Sequence, residues 1–420
     1  MKVSEPASKR QKFANPFKPG AGHMPPYLAG RESEEKEFRR LLAQTTILEN
    51  LVLTGLRGLG KTVLLERFKP TAIQEGWLWA GTDLSESMSI SEESLATRLL
   101  TDLSVVTSSI THSIRNEPKF GLTDETQQIT ATLDFATLVG RYNGTPGLVA
   151  DKLKSALEFV WSILQMHGKR GVIFAYDEAQ NLSDHAAKDQ FPLSLLLDIF
   201  QSIQRKNIPF MLVLTGLPTL FPKLVEARTF AERMFRVIFL DPLNEQETSE
   251  AVLRPIKNNN CPVHFSPESV QTIWGVTRGY PYFVQYVCRE AYDVWVQNAE
   301  AGQSMSPIPV REIVAKLDSD FFAGRWARAT DRQRELMSAV ASLPNCESEF
   351  TVQELIESDA NRALAKPFSS SHANQMLATL TEAGLIYKNR HGKYSFAVPL
   401  LGGFIRRQRA YLEGGFAQLE

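Results

Sequence analysis

Between residues 48 and 240, short β-branched and apolar runs alternate with stretches whose apolar positions recur at helical spacing. The runs predict strands over 51–54, 78–82, 171–176, 210–215 and 236–240. Strands alternating with amphipathic helices are the pattern of a parallel sheet with helices on both faces. An earlier helix carries Phe38, Leu41 and Leu42 on one side. Residues 103–150 break the alternation. They are rich in Thr, Ser and Gly, with a turn at Asn143-Gly144-Thr145-Pro146-Gly147, and read as a partly helical insertion or a mobile loop.

Beyond residue 242 the periodicity is helical throughout. Helices are expected over 244–256, from Ser266-Pro267-Glu268 (an N-cap with proline at the first helical position), over 281–296 and over 310–322. From about residue 330 three helices (331–342, 352–358, 371–382) precede two strands, 385–388 and 394–398. Asn389-Arg390-His391-Gly392-Lys393 joins the strands as a hairpin connection. Helix–helix–helix–hairpin is the winged-helix order. Its third helix turns Ala373, Met376, Leu377 and Leu380 inward, and His372, Asn374, Gln375 and Thr379 outward. The expected domains are therefore a flexible basic arm over 1–24, an α/β domain over 25–242, a helical domain over 243–324 and a winged helix over 325–420.

Composition narrows the function classes. Hydrophobic residues are 43% and charged residues 22%, as in globular chains. Lys+Arg 46 against Asp+Glu 47 excludes a global basic field, so any basic surface is local. Lys2, Lys9, Arg10, Lys12 and Lys18 make the N-terminal arm one such place. Arg325 onward holds twelve Lys/Arg against ten Asp/Glu. Cys261, Cys288 and Cys346 have no metal-ligand spacing and read as core residues of a reducing compartment. No apolar run reaches membrane-spanning length, and the first residues lack the apolar segment of a secretory signal. A cytoplasmic protein without a membrane partner is expected.

The chemistry begins at Gly55-Leu56-Arg57-Gly58-Leu59-Gly60-Lys61-Thr62, which has the spacing of a phosphate-binding loop between a strand and a helix. Its glycines let backbone N–H groups turn toward a polyphosphate, and the following helix, from Thr62-Val63, adds its positive end. Lys61 would reach the β- and γ-phosphates of ATP, and the Thr62 hydroxyl would ligate Mg²⁺. The strand over 171–176 ends in Asp177-Glu178. Asp177 would hold the Mg²⁺ shell, and Glu178 would polarise the attacking water. Thr215, ending the next strand, either senses the γ-phosphate or the lytic water, or merely caps the following turn.

These residues resemble the AAA+ ATPases, in particular the group of origin-recognition-like initiators and STAND-related archaeal-type ATPases. The resemblance runs from about Asn15 to Gln408. It rests on Leu28-Ala29-Gly30-Arg31-Glu32, the phosphate loop, Tyr176-Asp177-Glu178-Ala179-Gln180, Thr215-Gly216-Leu217-Pro218, Glu232-Arg233-Met234-Phe235, Gly279-Tyr280-Pro281 and the winged helix. It implies a P-loop AAA+ sheet, a helical lid and a C-terminal winged helix. It also implies that Gly30 and Arg31 belong to a lead-in around the adenine, with Gly55, Gly58, Leu59, Gly60, Lys61, Thr62 and Val63 on the nucleotide. Arg233 resembles the arginine finger that reaches a neighbouring subunit's γ-phosphate in a homo-oligomer, with Arg228 and Arg236 as rivals. Thr277-Arg278-Gly279-Tyr280-Pro281 stands where initiators carry a lid arginine. It resembles the Gly-x-Pro element of STAND ATPases, whose proline (here Pro281) packs on the base. A slow ATP/ADP-dependent switch is implied over a fast motor.

The winged helix offers duplex DNA a wing with Lys388, Arg390, His391 and Lys393, and a further basic run at Arg406, Arg407 and Arg409. The alternative is a signalling or defence switch in which the winged helix, or residues 103–150, meets a protein partner.

Overall fold

The computed structural model describes residues 14–118, 126–257, 263–303, 307–390 and 392–412. Residues 1–13 of the expected arm, Cys261 and His391 lie outside the described residues. The chain divides into two compact units. One is Arg31–Leu56 with Lys61–Leu240; the other is the chain up to Gly30, Arg57–Gly60 and everything from Asp241.

The first unit contains β1 (Asn50–Thr54), β2 (Trp77–Ala80), β3 (Thr111–Pro118), β4 (Thr126–Thr132), β5 (Gly171–Tyr176), β6 (Phe210–Gly216) and β7 (Phe235–Phe239). Five of these form a parallel sheet in the order β2–β5–β6–β1–β7. β1, β5 and β6 are buried at every position, which requires cover on both faces and explains their unbroken apolar sequences. Helices Lys61–Gln74, Glu92–Thr107, Val149–Leu164 and Pro192–Arg205 belong to the same unit. In Val149–Leu164 the buried set Leu153, Ala156, Leu157, Val160 and Leu164 follows one helical face.

Two features position the site. β6 lies between β5 and β1, so the loops leaving three adjacent strands open at one end of the sheet. Next to them, β2 is followed by Gly81, whose φ is +129° and where a Cβ would stand 1.9 Å from the Ala175 carbonyl oxygen. Only glycine permits that approach. Just beyond it Asp83 pairs in register with Asp177, and the Leu84 N–H donates to the Asp177 carbonyl at 2.9 Å.

The described part of residues 103–150 holds the end of one helix, a pair of strands, a second helix and the start of a third at Val149. β3 and β4 pair antiparallel, apart from the main sheet, and helix Phe135–Asn143 follows. Thr107 ties down the base by donating to the Leu103 and Leu133 carbonyls at 2.9 and 2.7 Å. The hairpin strands are rich in Thr, Ser, Asn and Gln, so they carry no apolar alternation to announce them.

In the second unit, helices Glu245–Lys257, Pro267–Thr277, Pro281–Glu300 and Val310–Leu317 match the expected series. The last does not run on as an α-helix to 322; it becomes π-helical over Asp318–Ala323. The Ser266 side chain accepts from the Ser269 N–H, as an N-cap should.

The arm expected over 1–24 needs correction in its described part. Phe17 is 2% exposed and packs edge-on against Phe265 and Tyr292, at 6.0 and 6.3 Å between ring centroids. Asn15 donates to the Arg289 carbonyl and the Asp293 carboxylate, and the Lys18 N–H donates to Gln285 Oε1. One buried aromatic in a polar, basic stretch is what anchors it. Phe17→Ala should cost this unit roughly 3–5 kcal/mol, the usual range for a buried Phe; urea unfolding followed by tryptophan fluorescence measures it.

The winged helix comprises helices Asp331–Ala341, Val352–Glu357 and Ser370–Glu382 with strands β8 (Phe350–Thr351), β9 (Ile386–Arg390) and β10 (Lys393–Phe396), ordered β8–β10–β9. Ala373, Leu377 and Leu380 are buried, Met376 is half-buried, and Asn374, Gln375 and Thr379 are exposed, as the periodicity requires. Three elements were not foreseen: the strand β8, the short helix Asp359–Arg362 and, last, the helix Leu401–Leu412. The latter changes the reading of the last basic run. Arg407 makes a two-pronged ion pair with Asp318 at 2.6 and 2.8 Å, and Arg406 donates to the Ala341 carbonyl at 2.8 Å. Both hold this helix to its own unit. Among the described residues no helix is long and apolar enough to cross a membrane.

Candidate active site

The site residues of the α/β unit converge on one carboxylate. β5 carries Asp177 to the sheet end, where Thr62 Oγ1 donates to its Oδ2 and Thr215 Oγ1 donates to its Oδ1. Asp177 is 4% exposed and Thr215 fully buried. A buried carboxylate tolerates its charge only when its lone pairs are satisfied, and here two hydroxyls and the Glu178 N–H (2.8 Å to Oδ1) do so. Thr62 is the second residue of the helix leaving the phosphate loop, and Thr215 stands on β6, so three elements meet at Asp177.

Lys61 is buried at 8% exposure, and its ammonium donates to the Gly55 and Leu56 carbonyls at 2.9 and 3.0 Å. The loop thus holds its own lysine against the start of the turn. Gly58 and Gly60 both have positive φ, +83° and +86°, as backbone turning N–H groups inward demands. Leu59 is buried and Val63 half-buried, and the Gly55 N–H bonds the Gly216 carbonyl at 3.3 Å.

Glu178 follows Asp177 in a left-handed conformation, φ 51° and ψ 35°, uncommon for a residue with a side chain. Its carboxylate accepts from Gln180 Nε2, while Gln180 Oε1 accepts from the Leu217 N–H at 3.1 Å. Lys223 reaches the Gln180 carbonyl at 2.7 Å and Ser183 Oγ at 2.5 Å; burial holds its ammonium pKa below the usual lysine value. Asp83 brings a third carboxyl alongside. Burial, then the charges of Asp177 and Glu178, raise its pKa above the ordinary carboxylate value. Asp83 and Lys223 went unnoticed in the sequence. Gln180 was named there only as the last residue of the Tyr176–Gln180 motif, with no role of its own.

The remaining expected residues are placed as follows. Arg31 is buried at the start of helix Glu32–Leu42, with Nη1 3.4 Å from Glu34 Oε1. Gly30 has φ +63°, and a Cβ there would collide with the Glu247 side chain. Pro281 begins helix Pro281–Glu300. It follows Gly279, whose φ is +72° and where a Cβ would stand 1.9 Å from the Leu243 carbonyl oxygen. Of the three arginines near β7, Arg228 is spent on Asp198 through two bonds of 2.7 and 2.8 Å, and Arg236 on Glu37 at 2.8 Å. Arg233 is exposed on the short helix Ala231–Met234, and among the described residues its guanidinium has no partner.

The fold has counterparts among solved structures. The Walker-type ATPase paby2304 of Pyrococcus abyssi superimposes with a TM-score of 0.54 at 15% identity, over 90% of this chain and 96% of that one. The Aeropyrum pernix ORC2 protein in its ADP form gives 0.52 at 17% identity, over 96% and 100%. The fold is that of an AAA+ ATPase. β1 leads into the phosphate loop, β5 carries the acidic pair, and β6, carrying Thr215, lies between those two strands. Residues 319–405, which include the winged helix, match a family described as a domain of unknown function (DUF8462). No curated protein matches the chain by sequence.

Proposed function

We propose that this chain is an ATP-binding, slowly hydrolysing AAA+ switch that assembles and acts on duplex DNA through its winged helix. The observation that carries the ATPase reading is the Asp177 carboxylate bonded at once to Thr62 and Thr215, with Glu178 next in the chain. The ORC2 relative in its ADP form supports an adenine nucleotide as ligand. Domain limits of 25–242, 243–324 and 325–420 accompany this reading.

Lys61 neutralises phosphate oxygens, and the loop N–H groups around Gly58 and Gly60 bind them without sequence cost. A hydroxyl and a carboxylate oxygen, from Thr62 and Asp177, are the donors Mg²⁺ takes when it also binds phosphates. That ion, when bound, neutralises charge on the β- and γ-oxygens. Glu178 accepts the proton of the attacking water, and Thr215 holds Asp177 in register with the reacting phosphate. Turnover below about one per second is expected, at the low end of enzyme rates.

Arg233 serves as the finger in a second copy, because its two rivals are committed to Asp198 and Glu37. Arg233→Ala should leave ATP affinity intact and lower turnover about a hundredfold, the usual loss of one charge-stabilising donor. Mixing it with a Lys61→Ala protein, which keeps its own Arg233, should restore part of the activity. No recovery on mixing rejects action between subunits.

For DNA, Lys388, Lys393 and Arg390 lie on the wing, and the third helix faces outward with Asn374, Gln375 and Thr379. With three wing cations on phosphates, log affinity should fall with log salt at a slope of about −3. Duplex binding should strengthen with ATP over ADP. A duplex that neither binds nor stimulates turnover at low salt rejects the DNA reading and assigns the winged helix to a protein partner.

A further inference from the structure

Arg233 stands on a helix of only four residues, Ala231–Met234, too short to hold its own direction. The chain around it does so, at both ends. Met234 leads straight into β7, whose first residue, Phe235, pairs with Asn50 at the start of β1. The phosphate loop follows the other end of β1. The five residues of that strand put roughly 16 Å between the two, beyond the reach of an arginine side chain.

At the C-terminal end of the short helix, Asn50 Nδ2 donates to the Met234 carbonyl at 3.2 Å. Asn50 is fully buried. Its amide and that of Gln204 bond each other in both directions, at 2.8 and 3.2 Å, and Asn50 Oδ1 also accepts from the Leu212 N–H at 2.8 Å. At the N-terminal end, Arg228 makes the corner with helix Leu220–Ala227, and its carbonyl accepts from the Ala231 N–H at 2.9 Å. The Arg228 guanidinium donates to both Asp198 oxygens at 2.7 and 2.8 Å, and to Ser194 Oγ at 2.7 Å. Ser194 is 2% exposed and passes its own proton to Asp184 at 2.5 Å. Ser194, Asp198 and Gln204 all belong to helix Pro192–Arg205, so one helix carries both anchors.

The Arg228–Asp198 pair is more than a third exposed on each side, 37% and 39%, so it adds little to stability. What a planar, two-pronged pair fixes is direction. Here it sets the corner from which the helix of Arg233 starts. A side chain that stabilises transition-state charge needs such a base, since a misplacement of about 1 Å can cost a hundredfold in rate.

We propose that Arg228 is a positioning residue: anchored on Asp198, it aims the helix of Arg233 at the nucleotide of a second copy of this chain. This rests on the reading of Arg233 as the finger.

The test is steady-state phosphate release by the full chain, with the KM for ATP measured alongside. Arg228→Gln and Asp198→Asn should each lower turnover about tenfold and leave KM within about twofold. Arg228→Lys, which keeps the charge without the fork, should fall in between. Combined with Arg233→Ala, Arg228→Gln should cost nothing more. Mixing Arg228→Gln with Lys61→Ala, which keeps its own Arg228 and Arg233, should restore part of the activity. Both partners are half-exposed, so either variant keeps the test valid if the other folds poorly. Wild-type turnover in Arg228→Gln, with Arg233→Ala impaired, overturns the proposal and leaves the finger standing. A loss in Arg228→Gln that Asp198→Asn does not share also overturns it, because Arg228 then acts on the phosphate directly. So does a loss that raises KM or adds to that of Arg233→Ala, which marks damage to the variant's own site. No recovery on mixing rejects the second copy as the target. Wild-type turnover in Arg233→Ala rejects the finger reading itself, and leaves Arg228 nothing to aim.

Discussion

Lys61→Ala should weaken ATP binding by at least about a hundredfold, roughly 3 kcal/mol at 25 °C. The side chain is buried to 8% exposure, and its ammonium already lies on the Gly55 and Leu56 carbonyls, so little ordering remains to be done when phosphates arrive. A charge-assisted bond to a phosphate in such a place is worth more than an exposed one. The same contacts give Lys61 a structural share, because its removal leaves two loop carbonyls short of a donor. Lys61→Met, which keeps most of the stem, separates the two roles. Both variants should lose the ATP-dependent rise in melting temperature, while Lys61→Met should melt closer to the wild type without nucleotide. Direct titration with a fluorescent ATP analogue measures the affinity. Wild-type affinity in both variants would falsify the assignment of this loop as the phosphate grip.

How much of this was legible beforehand depended on how far each feature was local. The five sheet strands, each expected to within a residue or two, are buried on both faces or set beside such strands, and continuous burial leaves a continuous apolar run. The acidic pair after β5 and the loop after β1 were readable because their chemistry is written in consecutive residues. The β3–β4 hairpin was not, because polar strands paired only with each other leave no periodic signature. Nor was the docking of Asn15 to Lys18, which depends on Gln285, Arg289 and Tyr292 more than 260 residues away. Arg406 and Arg407 looked like a surface for DNA because sequence shows charge and not partner; Asp318 and the Ala341 carbonyl claim them. The same long-range information separated Arg233 from Arg228 and Arg236.

Glu178→Gln should retain ATP affinity within a few-fold and lower turnover about a thousandfold, within the range for losing a positioned general base. The substitution preserves shape and removes only the ability to take a proton. Glu178 is not free to act as it stands: its carboxylate accepts from Gln180, which is itself fixed by the Leu217 N–H just past Thr215 and Gly216. Releasing the glutamate therefore requires that this amide let go, and Gln180 is tied to the strand that carries Thr215. Gln180→Ala should then raise the basal turnover with little change in KM, because the loss falls on a contact of the resting state. In the double variant Glu178→Gln with Gln180→Ala the rise should vanish, since there is no base left to release. Steady-state phosphate release at saturating ATP distinguishes these outcomes. Undiminished turnover in Glu178→Gln would show that the base is another group, and Asp83, the third carboxyl at the strand ends, is the one to substitute next.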